Sequence, residues 1–187
     1  HQRIHGVFGG SLPDGWGVLL QDRIFRQKGV LPAQVTAMDR LAFVGSQGMG
    51  GLSFTPVSAF LPEQHQNLDI ATLGLEAQTL FDQSLSEELD GNTQHVLATL
   101  VAVGSSGGAR PKAQVYMPAG DAKQCRTYAQ PGDEAWLVKF TSKNLPLGHE
   151  EGLCEAVYLQ MAEQAKCQPP VWQLIDAPPR SGAKAWL

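Results

Sequence analysis

The sequence is poor in charged residues and has no long apolar run. Charged residues make up 17% of its 187 residues, and the formal net charge is −4. A protein that grips DNA by itself usually carries a basic patch, so this balance argues against direct binding to nucleic acid. No apolar run approaches the roughly 18 residues that a membrane-spanning helix needs. We therefore expect neither direct DNA contact nor a membrane partner.

Cysteine and histidine are also sparse, which argues against a disulfide framework and against a metal site. The three cysteines, Cys125, Cys154 and Cys167, form no C-x-x-C pair, and their odd number argues against a disulfide framework. Reduced thiols are the default in a cytoplasm, and we expect that compartment. The five histidines are scattered without metal-ligand spacing, so the sequence predicts no metal site.

The chain nevertheless has the composition of a folded protein. Hydrophobic residues make up 43% of it, and its length suits one sizeable domain or two small ones. It opens at His1 without an initiator methionine and closes in the strand-like run 183–187. Because domains seldom end inside a strand pattern, we expect a piece of a longer protein.

Apolar periodicity predicts helices before residue 104 and mainly strands after it. Helical spacing is found at 16–25, 35–44, 68–80, 95–103 and 153–165. Strand-like alternation is found at 52–55, 112–117 and 135–140, and 171–175 pairs with 183–187 as a hairpin. The prediction is an α+β fold with a mostly helical first part, 1–103, and a sheet-rich second part, 104–187.

The densest run of small residues is Gly104–Lys112. Glycine allows positive φ and close approach to a ligand, and this run adds two hydroxyls, Arg110 and Lys112. Backbone donors, hydroxyls and positive charge together suit a phosphate. The other interpretation is a flexible helix-to-strand connection, since no common nucleotide motif is matched. A second glycine-rich stretch, Gly45–Gly51, has no basic residue and is interpreted as a turn.

Lys139 lies inside an otherwise apolar strand, where an unpaired ammonium is costly. Glu155 follows on the next predicted helix, 16 positions later. A strand lysine fixed by a helix glutamate is the arrangement with which protein kinases hold ATP phosphates. The alternative is that Lys139 guards an edge strand against aggregation and Glu155 is ordinary helix surface. Spacing alone does not decide between them.

Five phrases in this chain resemble the HipA family, the serine/threonine kinase toxins of bacterial toxin–antitoxin pairs. The stretch 105–112 reads S-S-G-G-A-R-P-K, similar to the family signature S-x-G-G-A-x-P-K. The other phrases, in the family's order, are Phe8–Gly17, Arg40–Leu52, Trp136–Phe140 and Glu155–Tyr158. Together they extend over most of the chain, although the first strands of the family's N-terminal subdomain have no counterpart.

The resemblance implies a HipA N-terminal subdomain followed by a kinase-type ATP-binding lobe with an antiparallel sheet. It implies ATP-binding roles for Ser106, Gly107, Gly108, Ala109, Arg110, Lys112, Lys139 and Glu155. Ser105 matches the family's autophosphorylated serine, with Ser106 as the alternative. Phosphate on that serine would add roughly −1.5 to −2 charges, which predicts that the loop is expelled from the nucleotide site.

The resemblance also implies partners, cofactors and a missing part. Family cofactors are ATP and Mg²⁺, substrates are translation components such as aminoacyl-tRNA synthetases, and the partner is a HipB-type antitoxin that carries the DNA contacts. The family's catalytic and metal-binding aspartates belong to a helical lobe with no match here, so we expect no phosphoryl transfer by this chain alone. The alternatives are a non-catalytic module that binds an antitoxin or partner subunit, and a generic α+β domain.

Overall fold

The computed structural model describes residues 4–61, 67–82, 97–101, 107–121, 124–142, 144–176 and 184–186. In this part of the chain, helices pack against one antiparallel sheet, which confirms the expected α+β class. The acidic segment 84–92, whose polar composition predicts a loop or a short helical turn, lies outside the described residues, as do residues 104–106 of the glycine-rich loop.

Three helices make up the N-terminal region: α1 (Gly6–Gly9), α2 (Gly15–Gln27) and α3 (Ala37–Val44). Gly29 follows the C-cap of α2 and has φ of +77°, a conformation that favours glycine at the end of a helix. The start of α3 is fixed locally by Thr36, whose hydroxyl accepts from the Asp39 backbone N–H at 3.2 Å. The Asp39 carboxylate in turn accepts from the Thr36 N–H at 2.8 Å, so the pair forms a capping box.

The remaining elements alternate between helix and strand. In chain order they are β1 (Asn67–Asp69), α4 (Ile70–Asp82), α5 (97–101), β2 (Lys112–Pro118), β3 (Gln124–Arg126), β4 (Asp133–Phe140), α6 (Glu151–Gln164), β5 (Leu174–Asp176) and β6 (Lys184–Trp186). Three-residue 3₁₀ turns lie at Pro32–Gln34 and Gly148–Glu150. All strand pairs are antiparallel, in the order β1-β3-β2-β4-β6-β5.

The long strands β2 and β4 form the centre of the sheet, with register from Lys112 opposite Lys139 to Pro118 opposite Asp133. Alternate residues of β2, such as Val115, are buried in the core. Because side chains alternate across a sheet, Lys112 and Lys139 lie on the face opposite to that core. The pleat therefore determines where both ammonium groups lie.

One hydrophobic cluster joins the helices to the sheet. The most deeply buried members include Trp16 of α2, Leu73 and Leu80 of α4 and Phe140 of β4, each at most 2% exposed. Gly74 lets α4 approach the sheet closely, because a Cβ there would lie 3.1 Å from the Phe140 ring. Residues from both sides of position 104 contribute to this cluster.

One local prediction is wrong, and two short strands were not predicted. No strand forms at 52–55, where the Phe54 N–H instead donates to the Gly45 carbonyl at 2.9 Å and closes a loop over the glycine-rich stretch. The short strands β1 and β3 were not predicted, because three residues are too few to show alternation. They pair with each other in the structure, so the first part of the chain also contributes to the sheet.

Candidate functional site

The candidate site lies where the glycine-rich loop meets the first pair of β2 and β4. Lys112 begins β2 directly after the loop, and Lys139 is its partner on β4. Residues directly opposite in an antiparallel pair have Cβ atoms about 4.5–5.5 Å apart. Two lysines in this relation concentrate positive charge beside backbone that can approach a ligand closely.

Lys139 donates a hydrogen bond and ion pair from Nζ to Glu155 Oε1. Both side chains keep about one third of their exposure, at 33% and 31%, so the pair is accessible from solvent. The alternative interpretation of Lys139 as an edge-strand guard is wrong, because β4 lies between β2 and β6. The structure thus brings together the lysine and glutamate that the sequence spacing singled out.

A contact in the connection between β4 and α6 ties the helix that carries Glu155 to the strand that carries Lys139. The turn Gly148–Glu150 leads directly into α6, and His149 Nδ1 lies 3.1 Å from the hydroxyl of Thr141, the residue after β4. The strand carrying Lys139 and the helix carrying Glu155 are therefore tied at the point where the chain connects them.

Lys112 is more enclosed than Lys139. It is 7% exposed, and its Nζ donates to the Gly107 carbonyl at 2.5 Å. Burial lowers the pKa of Lys112, and the neighbouring Lys139 lowers it further, while Asp14 and Glu155 act in the opposite direction. A bound anion would offset both the cost of burying the Lys112 ammonium and its repulsion from Lys139.

The described part of the loop, 107–111, requires glycine at one position at least. Gly108 has φ of +100°, and a Cβ on it would lie 2.6 Å from Lys112 Nζ. Gly107, Gly108, Ala109 and Arg110 are all exposed, so the loop is open to a ligand. The predicted site residues Ser105 and Ser106 lie outside the described residues.

Arg110 pairs with Glu151, at 2.9 Å from guanidinium to carboxylate. The Arg110 side chain is 55% exposed, whereas that of Glu151 is 3% exposed. Among the described residues, no hydrogen bond satisfies either Glu151 carboxylate oxygen. Glu151 was not among the predicted site residues, although its place one helical turn before Glu155 was a usable signal.

The N-terminus of α2 also holds the loop, which sequence reasoning missed. The Gly108 N–H donates to Asp14 Oδ1, and the Gly108 carbonyl accepts from the Trp16 N–H at 3.0 Å. The Trp16 indole Nε1 donates to the Lys112 carbonyl at 2.9 Å. The Trp16 side chain is buried in the core, and its indole N–H also supports the site.

A cavity of about 140 Å³ is lined by residues of α2, α3 and α5. Its walls include Leu20, Phe43 and Leu100, and Gly107 of the loop also lines it. Neither Lys139 nor Glu155 lines it, so we define the candidate site by its charged groups and not by this cavity. Within the described ranges, no three His, Cys, Asp or Glu side chains are grouped to hold a metal ion.

Fold and site define an α+β protein whose antiparallel sheet presents a lysine–glutamate pair and a second lysine beside a glycine-rich loop. Residues 1–55 match the family model described as HipA N-terminal domain. The match supports a relationship to HipA proteins, and it includes the α2 residues that hold the loop. A search of curated proteins and of solved structures gives no match. In the described part of the chain, no helix has the length and apolarity to cross a membrane.

Proposed function

We propose that this chain is the N-terminal and ATP-binding part of a HipA-type serine/threonine kinase. The proposal is carried by the Lys139–Glu155 ion pair, together with Lys112, which lies directly opposite Lys139 on the neighbouring strand. That arrangement supports phosphate binding at the exposed side of the loop. In the same proposal, 1–103 is the HipA N-terminal subdomain and 104–187 the ATP-binding lobe.

Charge complementarity is the main physical argument. Phosphate oxygens between two ammonium groups would replace a repulsion of like charges by two attractions. Lysine is a common phosphate binder because its ammonium acts as a compact, strongly hydrated point charge. The partial exposure of Lys139 leaves room for a ligand, while Glu155 keeps its ammonium in position.

The residues present fit the phosphates of ATP better than they fit magnesium. Lys112 and Lys139 would bind phosphate oxygens, Glu155 would orient Lys139, and ATP would supply the phosphoryl group that a kinase transfers. Among the described residues, no carboxylate cluster suits Mg²⁺, so we assign no step of this chain to the metal. We propose that the catalytic aspartates belong to a helical lobe of the HipA type outside this site.

The remaining parts of the proposal follow from the HipA relationship. A serine or threonine of a translation component would be the substrate, and a HipB-type antitoxin would neutralise the kinase and carry its DNA contacts. Ser105, or else Ser106, would be the autophosphorylated residue. The proposed compartment is the cytoplasm.

A non-catalytic interaction module is the second candidate, and the surface of α6 favours it. The helix buries only Glu151, Gly152 and Ala156, and its outer side carries an exposed apolar stripe. The stripe consists of Leu153, Val157, Tyr158 and Met161, which are 40–72% exposed. Exposed apolar stripes of this kind are typical of surfaces that bind another protein.

Calorimetric titration with ATP and with adenosine tests the first candidate. We expect ATP to bind more tightly than adenosine, and Lys139→Met to lower the ATP affinity by roughly tenfold or more, the equivalent of at least about 1.4 kcal/mol. The adenosine affinity should not change, because the lysine contacts phosphate. Lys28→Met, which removes an exposed lysine after α2, is the matched control.

Equal affinities for ATP and adenosine would overturn the proposed phosphate site. If neither ligand binds, the interaction module becomes the better candidate. Tyr158→Ser together with Met161→Ser should then abolish binding to an antitoxin or partner subunit while leaving the unfolding temperature nearly unchanged, because both side chains are exposed.

A further inference from the structure

We propose that Asp14, Gly15 and Trp16 form a loop clamp, a positioning element that holds residues 107–112 in the path needed for phosphate binding. These residues act through the loop backbone. The effect of the clamp on phosphate binding rests on the proposed function, whereas its effect on the conformation of the loop does not. The observations are contacts between the start of α2 and the loop more than 90 residues later in the chain.

Asp14 occupies the N-cap position of α2 but makes no cap hydrogen bond with its side chain. An aspartate in that position normally accepts from the second or third N–H of its own helix, which stabilises the helix. Here the carboxylate accepts from the Gly108 N–H, 94 positions away in sequence. The side chain thus stabilises the loop in place of its own helix.

Gly15 allows the two backbones to come into contact. It has φ of +37°, and a Cβ on it would lie 2.6 Å from the Ala109 Cα. Cβ atoms in proteins essentially never approach another heavy atom this closely. The neighbouring atom belongs to the backbone, so a side-chain rotation cannot remove the overlap. Only glycine therefore permits α2 to begin this close to the loop.

Trp16 completes the clamp with two donors on one rigid residue. Its backbone N–H binds the Gly108 carbonyl at 3.0 Å, and its buried indole Nε1 binds the Lys112 carbonyl at 2.9 Å. The side chain is only 1% exposed and is anchored in the core. Both the middle of the loop and its junction with β2 are therefore tied to the hydrophobic core.

The clamp has two effects on the candidate site. It fixes both backbone groups of Gly108, the residue whose Cβ-free surface makes room for the Lys112 ammonium. It also adds a carboxylate near that ammonium, and Asp14 opposes the lowering of the Lys112 pKa that burial and Lys139 cause. Lys112 is thereby favoured in the charged form that phosphate binding needs.

The first experiment measures ATP and adenosine affinities for Asp14→Ala, Asp14→Asn and Trp16→Phe. We expect Asp14→Ala and Trp16→Phe to weaken ATP binding by roughly five- to tenfold and to leave adenosine binding unchanged, since each removes one hydrogen bond to the loop. Asp14→Asn should restore most of the affinity, because its side-chain oxygen can still accept from Gly108 N–H.

Asp39→Ala is the matched control, because Asp39 is also a carboxylate at a helix start but caps its own helix. It should lower the unfolding temperature without changing the ratio of ATP to adenosine affinity. Equal or tighter ATP binding by Asp14→Ala would overturn the clamp and would show that this carboxylate competes with phosphate for the Gly108 N–H. A parallel loss of adenosine binding would also overturn it.

The second experiment needs no nucleotide. Amide exchange measured by NMR should show a protected Gly108 N–H in the wild type and in Asp14→Asn, with exchange at least about tenfold faster in Asp14→Ala. If the chain binds no nucleotide, the proposed function fails, but this measurement still decides the clamp. Unchanged Gly108 exchange in Asp14→Ala would overturn the inference even if ATP binds.

Discussion

Lys112 and Lys139 lie directly opposite one another on the two central strands of the sheet. Like charges in this relation destabilise a sheet, so the pair needs compensation. Glu155 pairs with Lys139, and the Gly107 carbonyl accepts from Lys112. The two neighbouring ammonium groups, those of Lys112 and Lys139, thus have one carboxylate in direct contact, that of Glu155 with Lys139. The positive charge that is not neutralised by this contact favours binding of a polyanion.

The pH dependence of stability should reveal the cost of burying Lys112. Its folded pKa is lowered, chiefly by burial and then by Lys139, while an unfolded lysine has a pKa of about 10.4. Between those two values the unfolded state binds more protons, so the free energy of unfolding rises with pH. Below the folded pKa of Lys112, the full free-energy cost of burying its charged ammonium is present.

Lys112→Met removes this dependence while keeping a side chain of similar length. In urea unfolding from pH 7 to pH 10, we expect the stability of the wild type to improve relative to Lys112→Met as the pH rises. Lys28→Met, at an exposed position, should run parallel to the wild type. A constant difference between wild type and Lys112→Met would contradict the lowered pKa.

Glu155→Gln should reduce ATP binding more than it reduces stability. Both partners of the Lys139–Glu155 pair are about one third exposed, so its loss should cost less than about 1 kcal/mol of unfolding free energy. Without the carboxylate, Lys139 loses its fixed position, and we expect roughly a three- to tenfold loss of ATP affinity by calorimetry. Glu163→Gln on the same helix, where Glu163 accepts from Trp172, should leave ATP binding unchanged.

Arg110→Ala should destabilise the chain because it leaves the buried Glu151 carboxylate without its cation. We expect a loss of about 1–3 kcal/mol in urea unfolding at neutral pH, below the range for fully buried pairs because Arg110 is half exposed. The double variant Arg110→Ala with Glu151→Gln should recover part of that loss. If the double variant is less stable than Arg110→Ala, the buried charge is not the cause.

Gly15→Ala should destabilise the fold more than Gly29→Ala or Gly6→Ala. These two control variants separate the effect of positive φ from the effect of steric overlap. Gly29 has φ of +77° but no atom within 4 Å of a built Cβ, and Gly6 has neither positive φ nor a close neighbour. We expect Gly6→Ala to be nearly neutral and Gly29→Ala to cost about 1 kcal/mol. Gly15→Ala adds overlap with Ala109, so thermal unfolding should give the largest loss there, about 2 kcal/mol or more.

The three cysteines should differ widely in reactivity in the native protein. Burial, followed by the effect of Asp69, raises the pKa of Cys125 to about 12, and its side chain is fully buried. Since the thiolate is the reactive form, iodoacetamide should label exposed Cys167 first, Cys154 more slowly and Cys125 only after unfolding. Peptide mass spectrometry gives each rate. Native labelling of Cys125 at the rate of Cys167 would refute its burial.

Local sequence patterns predicted most long elements of the fold. The helices α2, α3, α4 and α6 and the strands β2 and β4 lie within a few residues of their predicted ranges, because each is long enough to show its period. The strand at 52–55 failed for a tertiary reason, since Phe54 bonds the Gly45 carbonyl and not a neighbouring strand.

Only the part of the site that is joined by one short connection in the chain could be predicted from sequence. Lys139 and Glu155 could be paired from sequence because one connection links their strand and helix, which limits how they can meet. The partners of the loop could not be found this way. Asp14 carries the ordinary signal of a helix cap, and nothing local shows that its carboxylate serves Gly108 instead.

By itself, the sequence determined which of the long segments are helical or extended, and which lysine within a strand needs a counter-charge. These are short-range matters, fixed by side-chain period and backbone sterics. Only the tertiary structure decided that Lys112 faces Lys139, that Glu151 is buried against Arg110 and that α2 holds the loop. Those relationships depend on strand register and on how the helices pack around one core, which no local window of residues contains.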